Sequence, residues 1–517
     1  MSFAKLFTRQ FSFKETFLFY CILFSLYLYP LIRNNIPFRD DQVRILRGND
    51  WDTLGRRFAD ITMHILSFGF DKVINISPLT YFINIVLSSM VLTKVIFSIR
   101  LEKNMVNMLA LSFIFLSPFY LQNYSYQYDN LTMSSGMCLC ILAFFHNWNS
   151  KIAVLQAGTL LFSAVLFFQP VINVFIALVI INYLMNLKDQ KSDGILFIKG
   201  GIIYVSVLIV YFLFFKFVFN LSETNRSHIV PFSDMLNAIK NAIVIFGKFC
   251  EGLLYTPFSF LLLIAFCLFL LSFIILSIKD KISVSSILIK VCLLLLLFLS
   301  IWGPFILLEE TFARPRVFVV SGVILAFVFL FNLNSMECLK RINMLLTLVM
   351  TICLFSIAYQ YNNLNKEEFE YNKMLTEWIS KDINSDKKLY SKNTVYINSH
   401  PDFSPAGKLI IENTPFLKYI QLPYYNWVSR YYANNRGIKN VYKDLTNIDD
   451  KYDWESICMK KDAKLVIENQ YYNIYLIYNE QLPPSSKEHV SVWFKRNEDI
   501  CKDRPNIVFH RNLFFIE

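Results

Sequence analysis

Two adjacent carboxylates, Asp40 and Asp41, open the most chemically suggestive stretch of this chain, in Phe38-Arg39-Asp40-Asp41 just beyond a first long apolar run. The stretch from about residue 34 to 71 also holds Arg44, Arg47, Asp50, Trp51, Asp52, Gly55, Arg56, Arg57 and Asp60. A carboxylate beside arginines at a membrane surface suits one kind of reaction. The carboxylate takes the proton of an acceptor hydroxyl, and the guanidinium groups hold a phosphate leaving group. Asp40 or Asp41 is the expected general base, with Arg44, Arg56 and Arg57 as expected substrate contacts. In an extended loop the two would point opposite ways, so only one would face the substrate. The bland reading is that both carboxylates balance the local arginines on a solvated loop.

Two further clusters fall on the same expected side. Asp129 lies in Tyr124-Ser125-Tyr126-Gln127-Tyr128-Asp129-Asn130, whose rings suit sugar stacking and equally suit an interfacial aromatic belt. Arg314 and Arg316, in Glu309-Glu310-Thr311-Phe312-Ala313-Arg314-Pro315-Arg316, are candidates for phosphate contact or for ion pairs with the two glutamates. The six histidines have no ligand spacing, and Cys138-Leu139-Cys140 sits inside an apolar run, so no metal site is expected and a divalent cofactor is not supported. No Gly-rich phosphate loop or dinucleotide fingerprint occurs, which argues against a nucleotide-sugar donor. Further on, Pro423-Tyr424-Tyr425-Asn426-Trp427 with Tyr431-Tyr432 could face a glycan or form a core, and Lys460 and Lys461 could meet an anion or simply be solvated.

The elements that must position these residues are apolar. Of 517 residues 55% are hydrophobic, and 51 Phe stand against only 14 Gly, a balance unlike that of soluble domains. Runs near the ~20 residues that span hydrocarbon fall at about 15–33, 77–98, 105–121, 131–147, 152–168, 171–186, 197–219, 255–277, 284–306, 317–333 and 342–360. The expected fold is therefore a mainly α polytopic membrane protein of about eleven transmembrane helices (residues 1–360), with a small α/β C-terminal domain (361–517). Residues 152–168 and 171–186, joined by Gln169-Pro170, could instead form a re-entrant hairpin. In the first loop, Trp51, Leu54, Phe58, Ile61 and Ile65 recur at steps of three and four, predicting an amphipathic helix on the outer leaflet with Trp51 at headgroup level.

The net charge of +11 is assigned to loops and lipid contact, not to nucleic acid. With the N-terminus in the cytoplasm, Arg100, Lys103, Lys151, Lys188, Lys191, Lys199, Lys279, Lys281, Lys340 and Arg341 all fall on inner loops. The first loop and Arg314/Arg316 break the rule, which suggests that their arginines bind an anion. No cleavage site follows the first run, so it reads as a retained span. An odd span count puts the tail outside; the low-Gly, Lys/Asn-rich chain suggests a bacterial inner membrane, hence a periplasmic tail. That compartment permits disulfides, and Cys458 and Cys501 are the tail's two cysteines, so a Cys458–Cys501 bridge is expected, with two buried thiols as the alternative. Within the tail, 365–381 reads as a helix, and 394–398, 464–468, 472–478 and 506–509 read as strands.

The first span, outer acidic pair, amphipathic surface helix, many spans and outer C-terminal domain resemble the GT-C class of glycosyltransferases. More narrowly, Asp40-Asp41-x-x-Arg44, Gly48, Trp51 and Gly55-Arg56 resemble the start of the serotype-converting O-antigen glucosyltransferases of the Gtr type. The architecture covers the whole chain and the motif only about residues 38–57. The resemblance implies undecaprenyl-phosphate glucose as donor, a lipid-linked O-antigen repeat as acceptor, an inverting reaction with Asp40 or Asp41 as base, and a separate donor synthase and flippase as functional partners. The alternatives left open are another GT-C transferase using a lipid-linked sugar, an O-antigen flippase or polymerase-like protein, and a non-catalytic sensor.

Overall fold

The computed structural model describes residues 9–48, 51, 54–146, 148–185, 190–218, 230–279, 284–308, 314–392, 395–397, 401–421, 432–434, 436, 438, 463–478 and 488–494. In chain order the helices are α1 (Phe13–Asn34), α2 (Asp40–Arg47), α3 (Arg57–Ser67), α4 (Leu79–Ser98), α5 (Met105–Leu116), α6 (Leu121–Ser125), α7 (Asn130–Phe144), α8 (Lys151–Phe167) and α9 (Ile172–Met185). They continue as α10 (Gln190–Leu213), α11 (Met235–Leu254), α12 (Pro257–Lys279), α13 (Val284–Leu299), α14 (Val320–Ser335) and α15 (Lys340–Ser385), then α16 (Lys387–Tyr390), α17 (Pro405–Asn413) and α18 (Leu417–Ile420). The strands are β1 (Val395–Ile397), β2 (Ala463–Glu468), β3 (Tyr472–Tyr478) and β4 (Glu488–Phe494).

Two units emerge from the packing: residues 1–37, 49–362 and 413–420 form one, and 38–48, 363–412 and 421–517 the other. The first is helical. Among the described residues five helices are long and apolar enough to cross a membrane: Phe13–Asn34, Leu79–Ser98, Gly194–Phe217, Pro257–Lys279 and Glu337–Ser385. A sixth span results if Met105–Leu116 and Pro118–Ser125, bent by 43°, count as one. The sequence expectation was about eleven; the remaining apolar runs fold as helices of 10–17 residues, too short to meet the length requirement alone. The bend has a local cause. Pro118 brings no N–H and disfavours helical backbone at Ser117, so α5 stops and a short 3-10 turn precedes α6.

Helix α1 starts with a capping box: the Ser12 hydroxyl accepts from the Glu15 N–H and the Glu15 carboxylate accepts from the Ser12 N–H. Its buried stripe packs on α4, α4 packs on α7, α7 on α8, and α5 on α14. Helix α11 is a finding: residues 220–254 read from the sequence as an outer segment, yet Met235–Leu254 form a helix that buries Ala242, Ile245, Phe246 and Phe249. Lys240 and Lys248 stay exposed on it and disguise the stripe.

The second unit is α/β. Its sheet has the order β1-β4-β3-β2, with β1 parallel to β4 and the other pairs antiparallel. Tyr472, Ile474, Val490, Val492 and Phe494 pack against Leu375, Ile379 and Ile383 of α15. The expected helix at 365–381 is thus part of the 46-residue α15, unbroken because no Pro or Gly interrupts it. Strands β1 to β3 lie where expected within a residue at each end, whereas β4 went unread because His489 and Ser491 interleave its valines. The expected strand at 506–509, the Cys458–Cys501 bridge, Lys460 and Lys461, and Pro423–Trp427 lie outside the described residues.

Candidate active site

In the first unit, the segment Tyr126–Asp129, between α6 and α7, gathers the charged residues. Asp129 is 1% exposed and forms the N-cap position of α7. Its Oδ1 accepts from the Trp51 indole N–H and lies 3.6 Å from Arg56 Nη1. Trp51 is fully buried, in a core with Ala59, Met63, Val73 and Tyr128. This corrects the expectation that Trp51 floats at headgroup level: a buried carboxylate needs donors, and the indole N–H supplies one. The amphipathic helix also starts later than expected, at Arg57. Its inner face is Ala59, Asp60 and Met63, while Ile61 and Ile65 are exposed.

Arg56 is fixed from several sides. Its Nε donates to Gln169 Oε1 at 3.1 Å, and its guanidinium carbon lies 4.9 Å from the Phe168 ring centre. Gly55 precedes it at φ +67°, and a Cβ there would come within 2.9 Å of the Tyr211 hydroxyl. Only glycine suits both the left-handed backbone and the close approach. Arg57, half-buried, is the first residue of α3.

The later arginine reaches the same segment. Arg316, in the 3-10 turn Pro315–Val317, stacks over Tyr126 at 4.8 Å, and its backbone N–H donates to Gln122 Oε1 at 3.0 Å. Arg314 is half-buried at the N-cap position of that turn. Glu309 and Glu310 lie outside the described residues. The structure thus brings Arg56, Asp129 and Arg316, distant in sequence, onto one four-residue segment. Asn130 secures that segment: its side-chain amide donates to the Tyr126 and Gln127 carbonyls and to the Thr80 hydroxyl, at 2.8, 3.0 and 3.0 Å.

Asp40, Asp41 and Arg44 belong to the second unit, where they lie on α2. The backbone here is helical, so the alternation of faces that an extended loop would give does not apply, and neighbouring side chains diverge by about 100°. Asp41 is fully buried, and its Oδ2 accepts from the Phe38 N–H at 2.9 Å, closing the first turn. Asp40 is half-buried, and Arg44 is buried in the last turn. The acids at the start and arginines at the end of α2 complement its dipole. Gly48 ends it at φ +64°.

One residue of this unit escaped the sequence reading. Glu368 on α15 is fully buried; its Oε1 accepts from the Ser404 N–H at 2.8 Å at the start of α17. Burial, with Glu367 nearby, pushes its carboxyl up to about 7 despite the Ser404 hydrogen bonds. Among the described residues no group of three His, Cys, Asp or Glu is placed to hold a metal ion.

A family model for Glucosyl transferase GtrII matches residues 29–327, more than half of the chain. The chain belongs to that family. The family likeness read at residues 38–57 is therefore borne out, and membership places the chain among glycosyltransferase enzymes. A relative from Salmonella phage P22, described as an uncharacterized 55.3 kDa protein in the gtrB 5' region, is 26% identical over 196 residues. The match covers 37% of this chain and 40% of that protein, so the chain spans well under two thirds of the relative's length. No solved structure matches the chain. The matched range takes in α2, Arg56, Asp129, Arg314 and Arg316.

Proposed function

We propose that this member of the GtrII family transfers glucose from undecaprenyl-phosphate glucose to a hydroxyl of a lipid-linked O-antigen repeat, with inversion, at the periplasmic face of a bacterial inner membrane. The observation that carries the reading is the convergence of Arg56 and Arg316 on Tyr126–Asp129. Two guanidinium groups set against a buried, aromatic-rich segment suit the phosphate of a lipid-linked sugar, which such cations hold through charge-assisted hydrogen bonds. In this reading the five long helices, the bent pair and the shorter apolar helices all cross the membrane, and residues 361–517 form a periplasmic domain that selects the acceptor.

The chemistry is one displacement. The acceptor oxygen attacks the anomeric carbon, the bond from that carbon to the phosphate oxygen breaks, and undecaprenyl phosphate leaves with the electron pair. Asp40 takes the hydroxyl proton. It is favoured over Asp41 because Asp41 is buried and committed to the Phe38 N–H, whereas Asp40 is the more exposed. Arg57 and Arg314 are further candidate contacts for the donor's phosphate, and Arg44 is a candidate substrate contact on α2. A separate synthase and flippase supply the donor.

Mass spectrometry of O-antigen repeats from cells that make the donor tests this. Wild type should add one hexose per modified repeat. Asp40→Asn should cut that by about 100-fold or more, the range of a lost general base, at equal membrane abundance. Full modification by Asp40→Asn would remove it as the base, and no added hexose with wild type would overturn the transferase reading.

A further inference from the structure

A chain of side-chain contacts leads away from Arg56 to two residues that neither the motif nor the charge pattern marks. Gln169 lies in the break between α8 and α9, in the 3-10 turn Gln169–Val171. Its Oε1 accepts from Arg56 Nε at 3.1 Å, and its Nε2 donates to the Leu54 carbonyl at 2.7 Å and to the Tyr211 hydroxyl at 3.0 Å. The amide can sit only one way round: Arg56 offers only donors, and the Leu54 carbonyl only accepts. Reversal would set N–H against N–H and oxygen against oxygen. Gln169 therefore ties the direction of the guanidinium to the backbone one residue before Gly55.

Tyr211 closes the arrangement. It lies on α10 just before the π-helical turn Phe214–Val218, a backbone distortion found preferentially at functional sites. Tyr211 and Phe215, four residues apart, would both be met by a Cβ at Gly55, at 2.9 and 3.1 Å. Both thus border the turn that launches Arg56, and the Tyr211 hydroxyl also accepts from the amide that holds it.

Resting on the reading of Arg56 as a phosphate contact, we infer that Gln169 and Tyr211 are positioning residues that aim the Arg56 guanidinium at the donor phosphate. An arginine whose fork is fixed before the ligand arrives loses less freedom on binding, so the effect falls on donor affinity. Phe168, next to Gln169, supports the guanidinium face, so the α8–α9 break presents one polar and one aromatic contact to the same side chain. The expected hairpin at Gln169-Pro170 thereby acquires a role in binding.

The test is steady-state transfer by the purified full chain in lipid nanodiscs, with undecaprenyl-phosphate glucose varied at saturating lipid-linked repeat. Gln169→Leu should raise the donor KM by about tenfold or more, the scale of a lost hydrogen bond to a charged group, with kcat within about twofold. Tyr211→Phe, which deletes one hydroxyl and keeps the packing, should raise KM by about threefold. The inhibition constant of undecaprenyl phosphate should rise in step. A purely structural role would lower the melting temperature and leave KM unchanged, which would overturn the inference, as would a fall in kcat alone. Wild type that transfers no glucose would instead overturn the proposed function, so the two failures are distinct.

Discussion

Asp129 in the first unit and Glu368 in the second are both buried carboxylates, and they are compensated in different ways. Asp129 has the Arg56 guanidinium and the Trp51 indole N–H beside it. Glu368 is equally deep, but it accepts from the Ser404 backbone N–H, and its carboxyl is pushed up to about 7. The first arrangement ties an acid to a cation that can serve a ligand. The second makes an acid whose charge depends on pH. Burial alone therefore does not make a functional carboxylate; the partner decides what burial does.

The comparison breaks most sharply at Arg56. Arg56→Ala takes a guanidinium away from buried Asp129 and should cost about 1–3 kcal/mol of stability, with transfer reduced by about 100-fold or more. Adding Asp129→Asn should restore much of the stability and none of the transfer. Thermal unfolding in detergent and the nanodisc assay separate the two effects. Recovery of transfer in the double variant would show that Arg56 serves the fold alone.

Next comes Gly407. A Cβ there would collide with Glu368 Oε1 and meet Ser404 Oγ at 2.8 Å. Gly407→Ala should destabilise the second unit by about 1–3 kcal/mol, as overpacking does, and expose Leu375 and Ile379 amides to hydrogen exchange. Unchanged exchange would mean that the Glu368 site is looser than its burial suggests.

The smallest wild-type effect is with pH. Glu368, raised from 4.5 to about 7, binds more protons folded than unfolded, so its contribution is present below pH 4.5 and is lost as pH rises to about 7. His489, lowered by burial from 6.5 to about 4, binds fewer protons folded, so its contribution is present above pH 6.5 and is lost as pH falls to about 4. The two nearly cancel between pH 4.5 and 6.5. Glu368→Gln should unmask stability that rises with pH in that window, and His489→Phe stability that falls. Parallel slopes in both variants would refute the opposition.

The apolar runs were legible because an unbroken hydrophobic stretch announces a helix without help from its neighbours. Asp40, Asp41, Arg56, Asp129 and Arg316 stood out as charges beside membrane-sized runs. What the sequence hid was pairing. Nothing in the spacing says that Trp51 meets Asp129 or that Arg56 meets Gln169, because the fold brings together positions far apart in the chain. The helical backbone at Asp40 and Asp41 was not read from the sequence, because α2 has only eight residues and follows Pro37 closely, which masks its period. Glu368 was hidden because an acid in the charged run Lys366-Glu367-Glu368-Phe369-Glu370 looks like solvated surface, and its contacts with Ser404 and Gly407 come from far along the chain.

The most direct measurement is glucose transfer by the purified chain, reconstituted with a lipid-linked O-antigen repeat and offered either undecaprenyl-phosphate glucose or a nucleotide-linked glucose. The account predicts a glucosylated repeat from the lipid-phosphate donor and none from the nucleotide donor. Transfer from the nucleotide donor, or from neither, would contradict it.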